Sequence, residues 1–167
     1  MRKLNLLKTI VDYVWLLSVI FYPFIILFGV MISIDQDSFD IPITMGSSTI
    51  NAATTTGKVA LGVVILNFGI LLVALWYFKK LLQNFQKRQI FEASSCSLLN
   101  KIGTFILIGA SLYLVSDLFA KFAKNKLGIE LGYGPFLYLL ALGLFFKVLS
   151  EVFKMAQTLK EENELTI

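Results

Sequence analysis

The side chains that could do chemistry are few, and most of them lie in or beside apolar runs. The chain has no histidine and a single cysteine, Cys96. That composition excludes an internal disulfide, metal centres built on His or Cys clusters, and histidine-based catalytic triads. An oxidoreductase of the dithiol kind would need a second cysteine. Three aspartates, Asp35, Asp37 and Asp40, invite a calcium reading, but an EF-hand loop wants glycine at its sixth position and glutamate at its twelfth. Counted from Asp35, those positions hold Asp40 and Gly46, so the segment reads as a solvated acidic loop. What remains is a set of four polar residues within or at the edge of apolar stretches: Asn67, Asp117, Lys147 and Glu151. Burying such groups in lipid is costly, which makes them the candidates for an intramembrane role. Each also has a simpler use. Asn67 can bridge two helices by a hydrogen bond worth about 1 kcal/mol. Lys147 can reach the interface along its own stem and stands one turn from Glu151. Together they make no catalytic set, and the expectation is a protein that is not an enzyme and carries no cofactor and no metal.

The elements that must position these residues are membrane spans. A hydrophobic content of 57% with 16% charge in 167 residues, and a mean hydropathy of +0.77, set the chain apart from soluble domains. Four apolar runs, at about 13–34, 59–78, 102–119 and 131–149, approach the roughly 20 residues that cross a bilayer. The first is too long for the core of a cleaved signal peptide and is expected to stay as a helix, kinked at Pro23. The runs predict an all-α integral membrane protein: one domain of four helices in a compact left-handed bundle. Small residues recur every seven positions, Gly62 and Gly69, then Gly103, Ala110 and Asp117, then Gly134 and Ala141. Such seams let helices approach closely, and a homo-oligomer is compatible with them. Trp76, Tyr77 and Tyr133 stand near span ends, as interfacial aromatics do.

Orientation follows from charge. The formal net charge of +4 is gathered beside apolar runs rather than along a nucleic-acid-binding face, so no direct nucleic-acid partner is expected; the partner is the bilayer. Basic residues flank the N-terminus (Arg2, Lys3, Lys8), the loop at 79–101 and the tail at 150–167, and that bias marks the cytoplasmic side. Lys58, Lys121, Lys124 and Lys126 are left outside, in loops at 35–58 and 120–130. In the first outer loop Phe39, Ile41, Ile43 and Met45 alternate with polar residues or proline, the period of a strand. Gly46-Ser47 can turn the chain into a small extracytoplasmic β-hairpin returning towards Thr56, with Pro42 on an edge.

The loop at 79–101 is the longest polar interruption. Leu81, Leu82 and Phe85 continue the apolar face of the second helix, and Ser94 or Ser95 can cap a new one. The expected shape is a cytoplasmic helical hairpin with an apolar tip at Ile90-Phe91. The run FQKRQIFEASSCSLLNKIG, with the terminal LKEENELTI, resembles a family of small bacterial four-helix membrane proteins, domain of unknown function 2975. The matching residues are Lys87, Ile90-Phe91, Leu99, Lys101 and Ile102-Gly103, then Glu161, Glu162, Leu165, Thr166 and Ile167. Gln89 replaces a common glycine, and Glu164 replaces the usual Asp. The resemblance implies a multi-pass protein of the bacterial inner membrane without enzyme activity. It also implies a partner, because a neighbouring gene in this family often encodes a small helix-turn-helix transcription regulator. The expected function is a regulatory partner that holds or senses for such a regulator, docking it through Lys87, Ile90, Phe91, Leu165, Thr166 and Ile167. The alternative is a small transporter or a lipid- or hydrophobe-binding bundle using the four intramembrane polar residues.

Overall fold

The computed structural model describes residues 2–34, 42–45, 48–51, 54–123 and 134–164. The aspartates of the first outer loop, Lys124, Lys126 and Tyr133, and the tail residues Leu165, Thr166 and Ile167 lie outside the described residues. Four helices follow in order: α1 (Arg2–Ile34), α2 (Thr55–Gln86), α3 (Ala93–Ala123) and α4 (Gly134–Glu164), with strands β1 (Pro42–Met45) and β2 (Ser48–Asn51) between α1 and α2. All four helices are long and apolar enough to cross a membrane, and they form a four-helix bundle.

The helices outrun the apolar segments inside them. At about 1.5 Å per residue, the 32 residues of α2 reach roughly 48 Å, against a hydrocarbon core of about 30 Å. The excess lies largely at one end, where α2, α3 and α4 continue into the basic segments. Local chemistry sets the ends. Thr54 caps α2, its hydroxyl accepting from the Gly57 amide at 3.0 Å. At the other end Arg88 adopts φ 62°; its amide donates to Phe85 O at 3.1 Å, and the Gln89 amide donates back to Asn84 O at 3.0 Å. This is a left-handed helix stop of the Schellman type. The left-handed residue is Arg88, one position before the glycine common in the resembling family. Capping of α3 differs from expectation too: the helix begins at Ala93, and the Glu92 carbonyl receives the amides of Ser95 and Cys96. Ser94 and Ser95 fall inside the first turn, where they bond across to α2 instead.

The bundle is open rather than compact. Among the described residues α1 packs on α2, α2 on α3 and α3 on α4, and α1 approaches neither α3 nor α4. The core sits where α2, α3 and α4 converge at the basic end, around Ala74, Leu81, Leu99, Ile102 and Ile106. Across it, α2 and α4 meet through aromatic pairs, Phe78 with Phe146 and Phe85 with Phe153, both at 6.0 Å. The strands pair antiparallel with Ile43 opposite Ile50 and Thr44 opposite Thr49, and lie against α2 and α3. Pairing ends at Asn51; Thr55 and Thr56 belong to α2.

The small-residue seams are only partly those of the seven-residue reading. On α3, Gly103, Ala110 and Asp117 are all buried. On α4 the seam is Gly143 and Ser150, both buried, while Ala141 is exposed and a Cβ on Gly134 would touch only Tyr138. On α2, a Cβ on Gly62 would meet nothing, and one on Gly69 would meet Tyr22 of α1. Periodicity marks a stripe on a helix but not which stripe finds a partner when the bundle stays open. Backbone meets backbone most closely between α3 and α4, where a Cβ on Gly103 would stand 2.9 Å from the Gly143 carbonyl oxygen.

Candidate functional site

Two regions carry the candidate residues, and the structure keeps them apart. At the basic end, the turn between α2 and α3 projects Ile90 and Phe91, 37% and 44% exposed. Phe91 is anchored on one side, its ring 5.2 Å from that of Phe153 on α4. Lys87 is exposed beside them. The turn is held from beneath by a polar knot. Asn84 Nδ2 donates to Ser94 Oγ at 3.1 Å and to Ser95 Oγ at 3.4 Å, and Ser95 Oγ donates to the Gln89 carbonyl at 2.6 Å. Ser95 has no exposed surface, so its two bonds are shielded from water, where leaving one unmade is expensive, while the Asn84–Ser94 bond is exposed. The α4 side is tied in by Ser150 Oγ, which donates to the Cys96 carbonyl at 2.8 Å. Between the turn and the end of α4 lies an open cavity of about 350 Å³ lined by Phe91, Glu92, Ser94, Gln157, Lys160 and Glu161. It offers apolar and charged groups together.

α1 joins this end through a charge cluster that the sequence reading passed over. Asp12 accepts from Lys8 at 2.7 Å and faces Lys79 of α2 at 3.4 Å. Lys79 also lies 4.4 Å from the Trp15 ring centre, and Lys80 lies 3.5 Å from that of Trp76. The four-residue spacing of Lys8 and Asp12 was the readable signal; the contact with Lys79 depends on how α1 meets α2.

The four intramembrane candidates do not form one site. Asn67 sits at the α2–α3 contact, its Oδ1 2.9 Å from where a Cβ on Gly109 would stand. Asp117 is eight residues further along α3, about 12 Å of helix rise, and is 1% exposed. Lys147 lies at the Gly103 crossing, towards the other end of α3. Its amine donates to Asn100 Oδ1 at 2.6 Å, and no ion pair with Glu151 forms among the described residues. Glu151 points outward and is exposed. The expected Lys147–Glu151 pairing is thus replaced by an α4–α3 bond, because Asn100 faces Lys147 across the tight crossing. No group of three metal-ligating side chains occurs among the described residues.

Four membrane-length helices with a structured extension at one end define a multi-pass membrane protein. The family model described as protein of unknown function, DUF2975, matches residues 3–167, and the chain belongs to that family. Comparisons with curated proteins and with solved structures found no match.

Proposed function

We propose that this protein is a non-enzymatic regulatory partner that holds a small helix-turn-helix transcription regulator at the inner face of a bacterial cytoplasmic membrane. In this reading both termini and the 79–101 segment are cytoplasmic, the side favoured by their excess of basic residues, and the β-hairpin lies outside. The observation that carries it is the exposed Ile90-Phe91 tip, held on the rigid α2–α3 turn beside the α4 cavity. An exposed aromatic in a fixed position is a good anchor for a partner, because little side-chain entropy remains to be lost on binding. The tail from Leu165 to Ile167 alternates apolar and polar residues in sequence, a pattern that a groove or sheet edge on a partner can take up. Seven-residue seams at Gly103/Ala110 and Gly143/Ser150 support a left-handed crossing of α3 and α4.

The test is capture of the helix-turn-helix regulator encoded beside the gene, by full-length protein in nanodiscs. Phe91→Ser, Ile90→Ser and removal of residues 164–167 should leave membrane insertion and melting nearly unchanged while capture falls at least tenfold. Capture that stays at the level of the unaltered chain in all three refutes the docking assignment.

A further inference from the structure

The α2–α3 contact holds an unsatisfied amide beside a cavity. Asn67 lies eight residues into the 59–78 run, about 12 Å from its outer end, where no bulk water is available to solvate it. Its Oδ1 is buried without a hydrogen-bond partner and packs against Gly109, where a Cβ would come within 2.9 Å. On that side the oxygen faces α3 at Gly109, and only the absence of a side chain there lets the amide come so close. Asn67 also lines a cavity of about 280 Å³ with Val63, Phe68, Leu71, Tyr113 and Ser116. With the oxygen sealed against α3, the group that Asn67 presents to that cavity is its N–H₂. The Ser116 hydroxyl is already committed, donating to the Leu112 carbonyl at 2.7 Å.

We infer that this cavity binds a membrane-soluble, single-ring molecule carrying an oxygen acceptor, a carbonyl or hydroxyl, which takes a hydrogen bond from the Asn67 amide. The size fits: a dry cavity of about 150 Å³ is known to hold benzene, so this one has room for a ring and a short polar arm. The lining fits as well, with the rings of Phe68 and Tyr113 and aliphatic walls around one polar group, the usual balance of a small-molecule site. Val64, which also lines the cavity, is 41% exposed, so the site opens towards lipid and is reached from within the bilayer. This goes beyond holding a regulator and does not depend on one.

The test uses two probes of nearly equal shape, 4-fluoroacetophenone and 1-ethyl-4-fluorobenzene. Their binding to the full-length protein in nanodiscs is followed by fluorine NMR, with empty nanodiscs correcting for lipid partition. A hydrogen bond of the usual intramembrane strength predicts that the ketone binds about three- to tenfold tighter than the hydrocarbon. Asn67→Leu should bring that ratio to about one, and Val64→Phe, at a lipid-facing position that tolerates the larger side chain, should fill the cavity and exclude both probes. Equal binding of the two probes by the unaltered chain, or a preference that survives Asn67→Leu, overturns the assignment. So does absence of binding by either probe, including the case in which Asn67→Leu dissociates an oligomer because a second copy is what Asn67 meets. No regulator is present in the assay, so its outcome stands apart from the test of regulator capture.

Discussion

Replacing Gly103 with alanine should destabilise the α3–α4 pair, although alanine is the better helix former. The added Cβ would stand 2.9 Å from the Gly143 carbonyl oxygen, 3.0 Å from Lys147 Cγ and 3.1 Å from the Lys147 amide nitrogen. Two of these three atoms are backbone and cannot rotate away, so the helices must separate by about 0.5 Å to restore ordinary contact. That movement strains two bonds spanning the crossing, Lys147 to Asn100 at 2.6 Å and Ser150 to the Cys96 carbonyl at 2.8 Å. Overpacking of this kind costs about 1–3 kcal/mol, and weakening one such hydrogen bond adds up to about 1 kcal/mol. Helix propensity returns about 1 kcal/mol, leaving a net loss of between about 0 and 3 kcal/mol. Gly62→Ala is the matched control: its Cβ meets nothing within 4 Å, so only the propensity gain remains, and stability should hold or rise by up to about 1 kcal/mol. Gly143→Ala should fall between them, because its nearest contact, at 2.8 Å, is the Leu107 side chain, which can move. Unfolding in mixed detergent micelles of increasing SDS fraction, read by Trp15 and Trp76 fluorescence, ranks the three. If Gly103→Ala proves as stable as Gly62→Ala, the close crossing is not where the structure places it.

Two further outcomes are expected. Arg88→Gly should stabilise the α2–α3 turn by about 1 kcal/mol, because a left-handed φ of 62° strains any residue with a Cβ; a loss of stability in the same unfolding assay would show that the arginine side chain outweighs its backbone. For orientation, a membrane-impermeant maleimide on intact cells should label Thr55→Cys and spare Ser97→Cys, both exposed positions, in a Cys96→Ala background. Labelling of Ser97→Cys from outside would invert the proposed topology. Ser95 is unsuitable for this purpose, being fully buried.

What the sequence made legible was whatever depends on composition along one helix. Four apolar runs of spanning length dictate four helices, since a segment in lipid must satisfy its own backbone hydrogen bonds. The turn at residues 87–92 was readable because charge, Ile90-Phe91 and the serines interrupt the apolar pattern together. Pairing between helices was not readable. Asn67 was singled out as a polar group in lipid, but its neighbour Gly109 has no sequence signal, since the two are linked only by the crossing of α2 and α3. Lys147 has two partners within reach, Glu151 one turn away and Asn100 on another helix. Local spacing suggested the first, and the 2.9 Å approach at Gly103 delivers the second. Gly62 shows the converse error, a regular spacing with nothing packed against it, whereas Gly69 does find a neighbour, Tyr22 of α1.

The openness of the bundle gives the two ends different mechanical characters. At the basic end α2, α3 and α4 share a core, a buried serine knot and aromatic pairs between α2 and α4, so displacing one helix disturbs the other two. Towards the β-hairpin the α2–α3 contact instead contains a cavity and an amide lacking a hydrogen bond at its oxygen, where packing is poorer and repacking costs less. Filling that cavity would therefore change the α2–α3 contact where it is soft, while the tight end carries α2 and α3 as one unit into the turn that presents Phe91. A tilt of the α2–α3 unit against α4 would move Phe91 relative to Phe153, its 5.2 Å neighbour on α4. A coupling between occupancy at Asn67 and presentation of the tip needs differential binding to two packings. The cavity at the α2–α3 contact is where such a second packing would have to form.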